Sequence, residues 1–393
     1  MNTPSTKVKV TLVILLAIFM LIGLYSVEIF FSLKFAPRPH RPPRATDGKE
    51  VSYDVRTRLQ ALSDLRAKKL DAYLAVHPNL FVELGQTEGP IFPLSGISGK
   101  TTLLCYENGE HVVYESDEHG FNNPRGLWGG NGVEAVLIGD SFTHGMCVKP
   151  GEDIAGQMRK MGVKTLSLGM GGSGPLLELA ILEEYAKPVA PEIVFWIYYE
   201  ANDFTDLDKE REVPILLRYL DGDFSQGLIK RQFESDRMIK EYHDRTIATP
   251  GLDIQPNGQI EKIAKLFTTR ILFSDYFLTF RDSNLTLFRE VLLQAKERTA
   301  TWGGRLYFVY LPNFKRFAMN VVHNDKFKSK GKVLSIVRDT GIPILDITDV
   351  FSAHQDLPSL FATRTGGHYN AEGYRLVAQT IFDTVYPTNI RRP

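Results

Sequence analysis

From residue 133 to the carboxyl terminus, short apolar runs alternate with stretches whose apolar residues recur every three or four positions. The runs at 134–138, 163–168, 193–198, 305–311 and 343–347 have the length and composition of buried strands. The intervening stretches at 153–160, 175–186, 285–301, 330–339 and 371–385 have helical spacing. Strands and helices in alternation predict an α/β domain over 133–393, with a parallel sheet covered on both faces. A long, mostly helical insertion is expected at about 205–284. Upstream, the pattern is different. Val55, Leu59, Leu62, Leu65, Tyr73 and Leu74 fall near one face of a helix drawn over 54–75, with Arg58, Arg66 and Lys68 elsewhere. Two strand-like runs, 101–106 and 111–115, flank Glu107-Asn108-Gly109-Glu110, and Asn-Gly is a strong hairpin signal. Residues 50–132 therefore read as an amino-terminal extension packed on the main domain. No internal repeat is visible.

The first 33 residues follow a third pattern. Val10 to Val27 is a run of eighteen residues without a charge, followed by Glu28 and then Ile29, Phe30, Phe31, Ser32 and Leu33. A spanning helix needs roughly 20 predominantly apolar residues. The apolar core of a cleaved signal peptide is shorter, about 7–15 residues, and ends at a small-residue cleavage site that is not seen here. The expectation is one uncleaved transmembrane anchor within residues 1–33, touching lipid through 10–33. Pro37, Pro39, Pro42 and Pro43 then punctuate a basic stretch at 34–49, which reads as an extended linker.

Composition narrows the partners. Lysine plus arginine and aspartate plus glutamate both number 46, so the net charge is zero and no global field attracts nucleic acid. The only cysteines, Cys105 and Cys147, lack C-x-x-C spacing, so no metal site is expected. Two buried free thiols are favoured over a disulfide, although the pair would be able to form one in an oxidising compartment.

Four motifs carry candidate chemistry. Gly139-Asp140-Ser141-Phe142-Thr143-His144-Gly145 directly follows the first strand, where a serine hydroxyl can be presented on a tight turn. Leu168-Gly169-Met170-Gly171-Gly172-Ser173-Gly174-Pro175 follows the second, and its glycines allow backbone N–H groups to approach a ligand. No lysine follows as a phosphate-binding P-loop requires, and Ser173 lacks a nucleophile-elbow pattern because Pro175 stands at its last position. Glu200-Ala201-Asn202-Asp203 follows the third strand, and the Asn202 amide can donate to an oxyanion. Gly366-Gly367-His368-Tyr369-Asn370 precedes the last helix and places an imidazole in a glycine-rich loop. Each alone is as compatible with turn chemistry as with catalysis. Together they supply a nucleophile, a base and donors for a developing oxyanion at one edge of a sheet, which is what acyl transfer needs.

This ordered set resembles the SGNH (GDSL-type) hydrolase superfamily over roughly 133–386. The resemblance implies a flavodoxin-like three-layer α/β/α sandwich preceded by the membrane helix, with Ser141 as nucleophile and His368 as base. It implies Gly172, Asn202 and the N–H of Ser141 as oxyanion donors, and no cofactor. Two positions depart from the family pattern. Glu200 stands where a glycine is usual, and Thr365 stands where an aspartate usually precedes the histidine by three residues. His368 then needs another partner. Asp346, Asp349, Asp356, a backbone carbonyl, or a Ser-His dyad without an acid remain open.

Three functions follow as expectations. The first is an esterase acting on acylated, above all acetylated, carbohydrate or lipid. The second is an O-acyltransferase of cell-surface polysaccharide using the same residues. The third is a membrane-tethered scaffold without activity, suggested by Thr365. The Lys and Arg count beside the span places the carboxyl side in the cytoplasm, whereas the resemblance places the domain on the extracytoplasmic (periplasmic) side. The latter is adopted because the charge difference is small. Trp196, Tyr198 and Tyr199 are candidate pocket walls, with burial expected for at least half of them.

Overall fold

The computed structural model describes residues 6–34, 54–83, 91–107, 109–129, 132–248, 282–318, 325–364 and 366–386. The linker expected at 34–49, the Asn108 turn position, Thr365 and the 249–281 part of the insertion therefore lie outside the described residues, apart from Lys34. The chain divides into two compact units, one of residues 1–52 and 250–279, the other of 53–249 and 280–393. In the first unit, a helix of 29 residues runs Thr6–Lys34. Its side chains are described continuously only over 18–30. Within that description no helix is long and apolar enough to cross a membrane. Large apolar side chains stand exposed along it, among them Leu16, Phe19, Met20 and Ile22.

The second unit holds two sheets. The amino-terminal one is built from β1 (Ala72–Leu74), β2 (Thr101–Tyr106) and β3 (His111–Glu115), with β1 parallel and β3 antiparallel to β2. The hairpin expected at 101–116 is thus present as two paired strands. The helix expected over 54–75 is shorter. It runs Arg58–Ala67 behind a Thr57–Gln60 capping box, in which the Thr57 hydroxyl accepts from Gln60 N–H and the Gln60 amide oxygen accepts from Thr57 N–H. Lys69 then turns into the left-handed region at φ 63°, and Tyr73 and Leu74 leave the helix to pair with Thr102 and Leu103. Pairing with an existing strand satisfies their backbone and buries Tyr73, which overrides the local helical spacing.

The main sheet is parallel, in the order β5 (Thr165–Ser167), β4 (Ala135–Gly139), β6 (Ile193–Tyr199), β7 (Arg305–Leu311), β8 (Ile344–Asp346). Counted from β4, this is the flavodoxin-like order 2-1-3-4-5. Side chains alternate cleanly between its faces. Val136, Ile138, Val194, Trp196, Tyr198, Phe308 and Tyr310 enter one core with the helices Pro175–Ile181, Asp282–Thr301 and Asp325–Asp339. Ala135, Leu137, Phe195, Ile197, Tyr199, Val309 and Leu345 enter another with Ile154–Lys160 and Ala371–Val385. The result is an α/β/α sandwich. Trp196, Tyr198 and Tyr199 are all buried, so none is an open pocket wall.

The described part of the insertion packs on the amino-terminal extension and on the start of the Pro175–Ile181 helix. The helix Gln232–Ala248 meets the extension, where Asp236 accepts from the Ser98 hydroxyl at 2.6 Å and His243 Nε2 accepts from Leu74 N–H at 3.1 Å. Earlier in the insertion, Glu210 turns back to accept the N–H groups of Gly174, Leu176 and Leu177 at the start of the Pro175 helix, at 2.5, 2.9 and 3.4 Å. Complete burial raises its carboxyl from 4.5 to about 8 despite those bonds. A carboxyl whose folded pKa lies above its unfolded value contributes stability that is present below about 4.5 and is lost as pH rises through about 8. The wild-type urea midpoint should therefore fall from pH 6 to pH 9. Glu210→Gln should remove up to about 1.4 kcal/mol per pH unit of that fall, the slope of one proton. Parallel slopes for the two proteins would contradict this assignment.

Candidate active site

In a flavodoxin-like sheet, the strand order reverses between the first and third strands, here β4 and β6, and ligands bind in the crevice outside their carboxyl ends. Ser141 follows β4 and Asn202 follows β6, so the topology alone delivers both to that crevice. Asp140 caps the short helix Ser141–His144, its Oδ1 accepting from Phe142 N–H at 2.9 Å, and the cap fixes the turn that presents the Ser141 hydroxyl. The His368 loop arrives from the far end of the chain. It is pinned by Tyr369, whose hydroxyl donates to Pro312 O at 2.6 Å, and by backbone bonds joining Ala362 N–H to His368 O and Asn370 N–H to Leu360 O.

The two loops bring His368 Nε2 and Ser141 Oγ to 2.9 Å. On the other side of the ring, His368 Nδ1 lies 2.8 Å from Glu107 Oε1. A carboxylate oxygen can only accept there, so Nδ1 carries the proton and Nε2 is left to accept from the serine hydroxyl. Glu107 also accepts the backbone N–H of His368 through Oε2 at 3.2 Å. One carboxylate thus grips both the backbone and the ring of the base. Gly367, at φ 79°, permits the loop conformation, and a Cβ there would stand 3.3 Å from Glu107 Oε2. Phe142 packs on the His368 ring with centroids 4.9 Å apart and is itself backed by Tyr199 and Tyr369. About a quarter of the side-chain surface of both His368 and Glu107 is open, 22% and 26%, so solvent and substrate can reach them. Burial opposes ionisation of Glu107, but its bonds to the His368 ring and backbone outweigh it and hold the carboxyl below its usual range.

Glu107 is the residue that sequence reasoning missed. Of the acids considered instead, Asp346 pairs with Lys330 at 2.6 Å, Asp356 pairs with Arg364 at 2.9 Å, and Asp349 is exposed. None meets His368, and no backbone carbonyl is needed because a carboxylate is present. The available signal lay in the cysteines. Cys105 and Cys147 form a disulfide, contrary to the expectation of two free thiols. They are 42 residues apart, but the end of β2 lies beside the loop after the nucleophile helix. Pairing them would have drawn Glu107, two residues past Cys105, toward Ser141, six residues before Cys147.

The groups expected to bind an oxyanion are more occupied than the sequence suggests. Asn202 Nδ2 donates to Asp140 Oδ2 at 3.1 Å and to Asp206 Oδ2 at 2.9 Å, so both amide hydrogens are spent on carboxylates in this resting state. Asp140 Oδ2 also lies 3.4 Å from Ser141 Oγ, so the nucleophile and Asn202 meet at one oxygen. Gly172 adopts φ 72° and packs directly on Asn79 of the extension, whose Nδ2 would lie 2.3 Å from a Cβ there. Ser173 is fully buried and its hydroxyl has no partner among the described residues, so it is not the nucleophile. His144 turns away to Tyr114, with Nε2 3.2 Å from the phenol oxygen. Glu200, in the usual glycine position, accepts from Asn313 N–H at 2.6 Å and from Tyr310 OH at 2.5 Å and pairs with Arg316, which fixes the β6–β7 edge.

Beneath the crevice lie Asp140, Glu178, Asp203, Asp206 and Glu210, four of them fully buried. Burial pushes every one of these carboxyls up, well up at Glu178 and Asp203, where neighbouring acids add to it.

No protein-family model and no curated protein matches the sequence. Solved structures do resemble it. A lipase/acylhydrolase from Enterococcus faecalis is 14% identical over 64% of this chain and 94% of its own, with TM-score 0.36. The acetyl xylan esterase AlAXEase is 13% identical over 64% of this chain and all of its own, with TM-score 0.38. A two-domain esterase (CEX) active on acetylated mannans is 14% identical over 65% of this chain and 49% of its own, with TM-score 0.32. Likeness at this level does not bear on activity.

Glu107→Gln keeps the shape of the acid but removes its charge, so for the esterase proposed below turnover should fall by about 10³–10⁴ in kcat, as for loss of the acid in other triads. Asp356→Asn should change kcat less than about twofold, since the residue pairs only with Arg364. Steady-state kinetics on p-nitrophenyl acetate compares the two. Equal effects would remove Glu107 from the relay.

Proposed function

We propose that this chain is a membrane-anchored serine esterase of the SGNH type, removing acyl groups, acetyl first, from carbohydrate or lipid. The observation that carries the reading is the continuous relay from Ser141 Oγ through His368 to the Glu107 carboxylate, with distances of 2.9 and 2.8 Å. The order of motifs supports the family, and the strand order supports its fold. The inactive-scaffold reading rested on a missing acid, and Glu107 removes its motive.

In the proposed mechanism, His368 Nε2 takes the Ser141 proton as the hydroxyl attacks the ester carbonyl. Glu107, held ionised by its bonds to His368, stabilises the imidazolium that forms. The backbone N–H groups of Ser141 and Gly172 receive the oxyanion. Asn202 joins them by giving up one carboxylate bond. His368 then protonates the leaving alcohol, and water activated by the same imidazole releases the acid from Ser141.

Residues 10–33 are proposed as a single transmembrane span, with the hydrolase domain extracytoplasmic and the basic proline-rich stretch as its spacer. The length of the apolar run in the sequence supports this. Acylated surface polysaccharide or lipid would then be within reach.

The full chain in detergent should hydrolyse p-nitrophenyl acetate and bind a fluorophosphonate covalently. Ser141→Ala should abolish labelling and cut turnover by about 10⁴-fold or more. Turnover unchanged in that variant would end the proposal. Acetate passed from the substrate to a sugar hydroxyl faster than to water would reassign the chain as an O-acyltransferase.

A further inference from the structure

Among the described residues, the hairpin that carries Glu107 meets the segment after Ser141 through few apolar side chains. Its own apolar cluster is small, Leu104, Val112 and Tyr114, with Ala75, Cys105 and Met146 against it. The β2–β3 ladder shifts register between Leu103 and Cys105 and ends at the Tyr106–His111 pair, one residue short of Glu107. Beyond it, the Lys149–Glu110 ion pair has both partners largely exposed, and such pairs contribute little. Tyr114 adds one hydrogen bond, to His144. The covalent tie is the Cys105–Cys147 disulfide, with Cα atoms 5.6 Å apart, within the usual range. It joins the residue two before the acid to the residue six after the nucleophile. Cys147 Sγ, a Glu107 carboxylate oxygen and a His368 ring nitrogen all lie within 4.8 Å of one another. The crosslink is therefore beside the relay itself and is not a remote staple.

We propose that the Cys105–Cys147 disulfide positions Glu107 against His368 and makes the relay conditional on an oxidising environment. The proposal rests on the esterase reading for its catalytic consequence, but the positioning stands on the geometry. A dithiol would open the bond by thiolate attack on one sulfur and release of the other as a thiolate. Closure of the reductant's second thiol then completes the exchange. Both cysteines end as thiols, the reductant ends as a cyclic disulfide, and two electrons and two protons have moved. With the tie gone, nothing covalent holds the hairpin tip, and Glu107 loses the fixed approach its two bonds to His368 require. An esterase built this way stays weak in a reducing compartment and gains its acid after reaching an oxidising one.

The test uses the full chain in detergent, oxidised and after dithiothreitol, with thiol content read by alkylation and mass spectrometry. The first readout is the low-field proton resonance of His368 Nδ1–H bound to Glu107, assigned by its absence in Glu107→Gln. The second is kcat and KM for p-nitrophenyl acetate. Reduction should remove the resonance and lower kcat by about 10²-fold, with KM little changed, as expected for a reacting group displaced by an ångström or so. Reoxidation should restore both. Cys105→Ala/Cys147→Ala should sit at the reduced level and ignore the reductant. In Glu107→Gln, reduction should cost nothing further, because the group being positioned is already gone. A resonance and kcat that survive verified reduction would overturn the proposal. So would an equal fold-loss in Glu107→Gln, which would mark the disulfide as a general brace. If the chain proves inactive on esters, the resonance still decides: its loss on reduction upholds the positioning role, and its persistence refutes it.

Discussion

A carboxylate on a small amino-terminal sheet grips an imidazole on the last loop of an α/β domain, and the chemistry of the site depends on that grip. Glu107 accepts from both the ring and the backbone of His368, so it sets the tautomer and the loop position together. Without it, Nδ1–H loses its carboxylate, and only the loop's backbone bonds, Tyr369 and the Phe142 ring place Nε2 near Ser141. The amino-terminal extension thus belongs to the site as well as to the fold. It supplies the acid, and through Asn79 it also lies against the Gly172 turn.

The second constraint is electrostatic. Five carboxyls lie under the crevice, and burial favours their neutral forms. Two of them act as hydrogen-bonding scaffold: Asp140 orders the Ser141 turn and, with Asp206, holds Asn202. Glu107 differs because it is partly exposed and directly bonded to the base, so its charge survives where charge is useful. Environment separates the two kinds of acid within one region.

The disulfide connects these parts. It closes a loop between residues 42 apart and fastens a lightly packed hairpin to the segment that carries Ser141. The apolar cores on either side of the main sheet are extensive and need no such help. The hairpin's cluster is small, so a covalent tie there has more effect on position than one inside a core would have.

The sequence by itself determined the layers. Buried parallel strands must be apolar on both faces, and all five central runs became strands within a residue or two of their expected ends. It also determined which loops hold Ser141, His368, Gly172 and Asn202, because strand ends in such a sheet converge at the switch point. Helix length at 54–75, the state of the cysteines and the identity of the acid were decided elsewhere. Tyr73 left its helix because a strand 29 residues further on offered backbone partners. The partner of His368 lies 261 residues away in sequence, and nothing local in a hairpin tip marks a glutamate as the partner of a distant histidine. Periodicity reports which face a residue shows to its own layer. Only tertiary structure decides which two layers meet, because that depends on the packing of whole elements against one another.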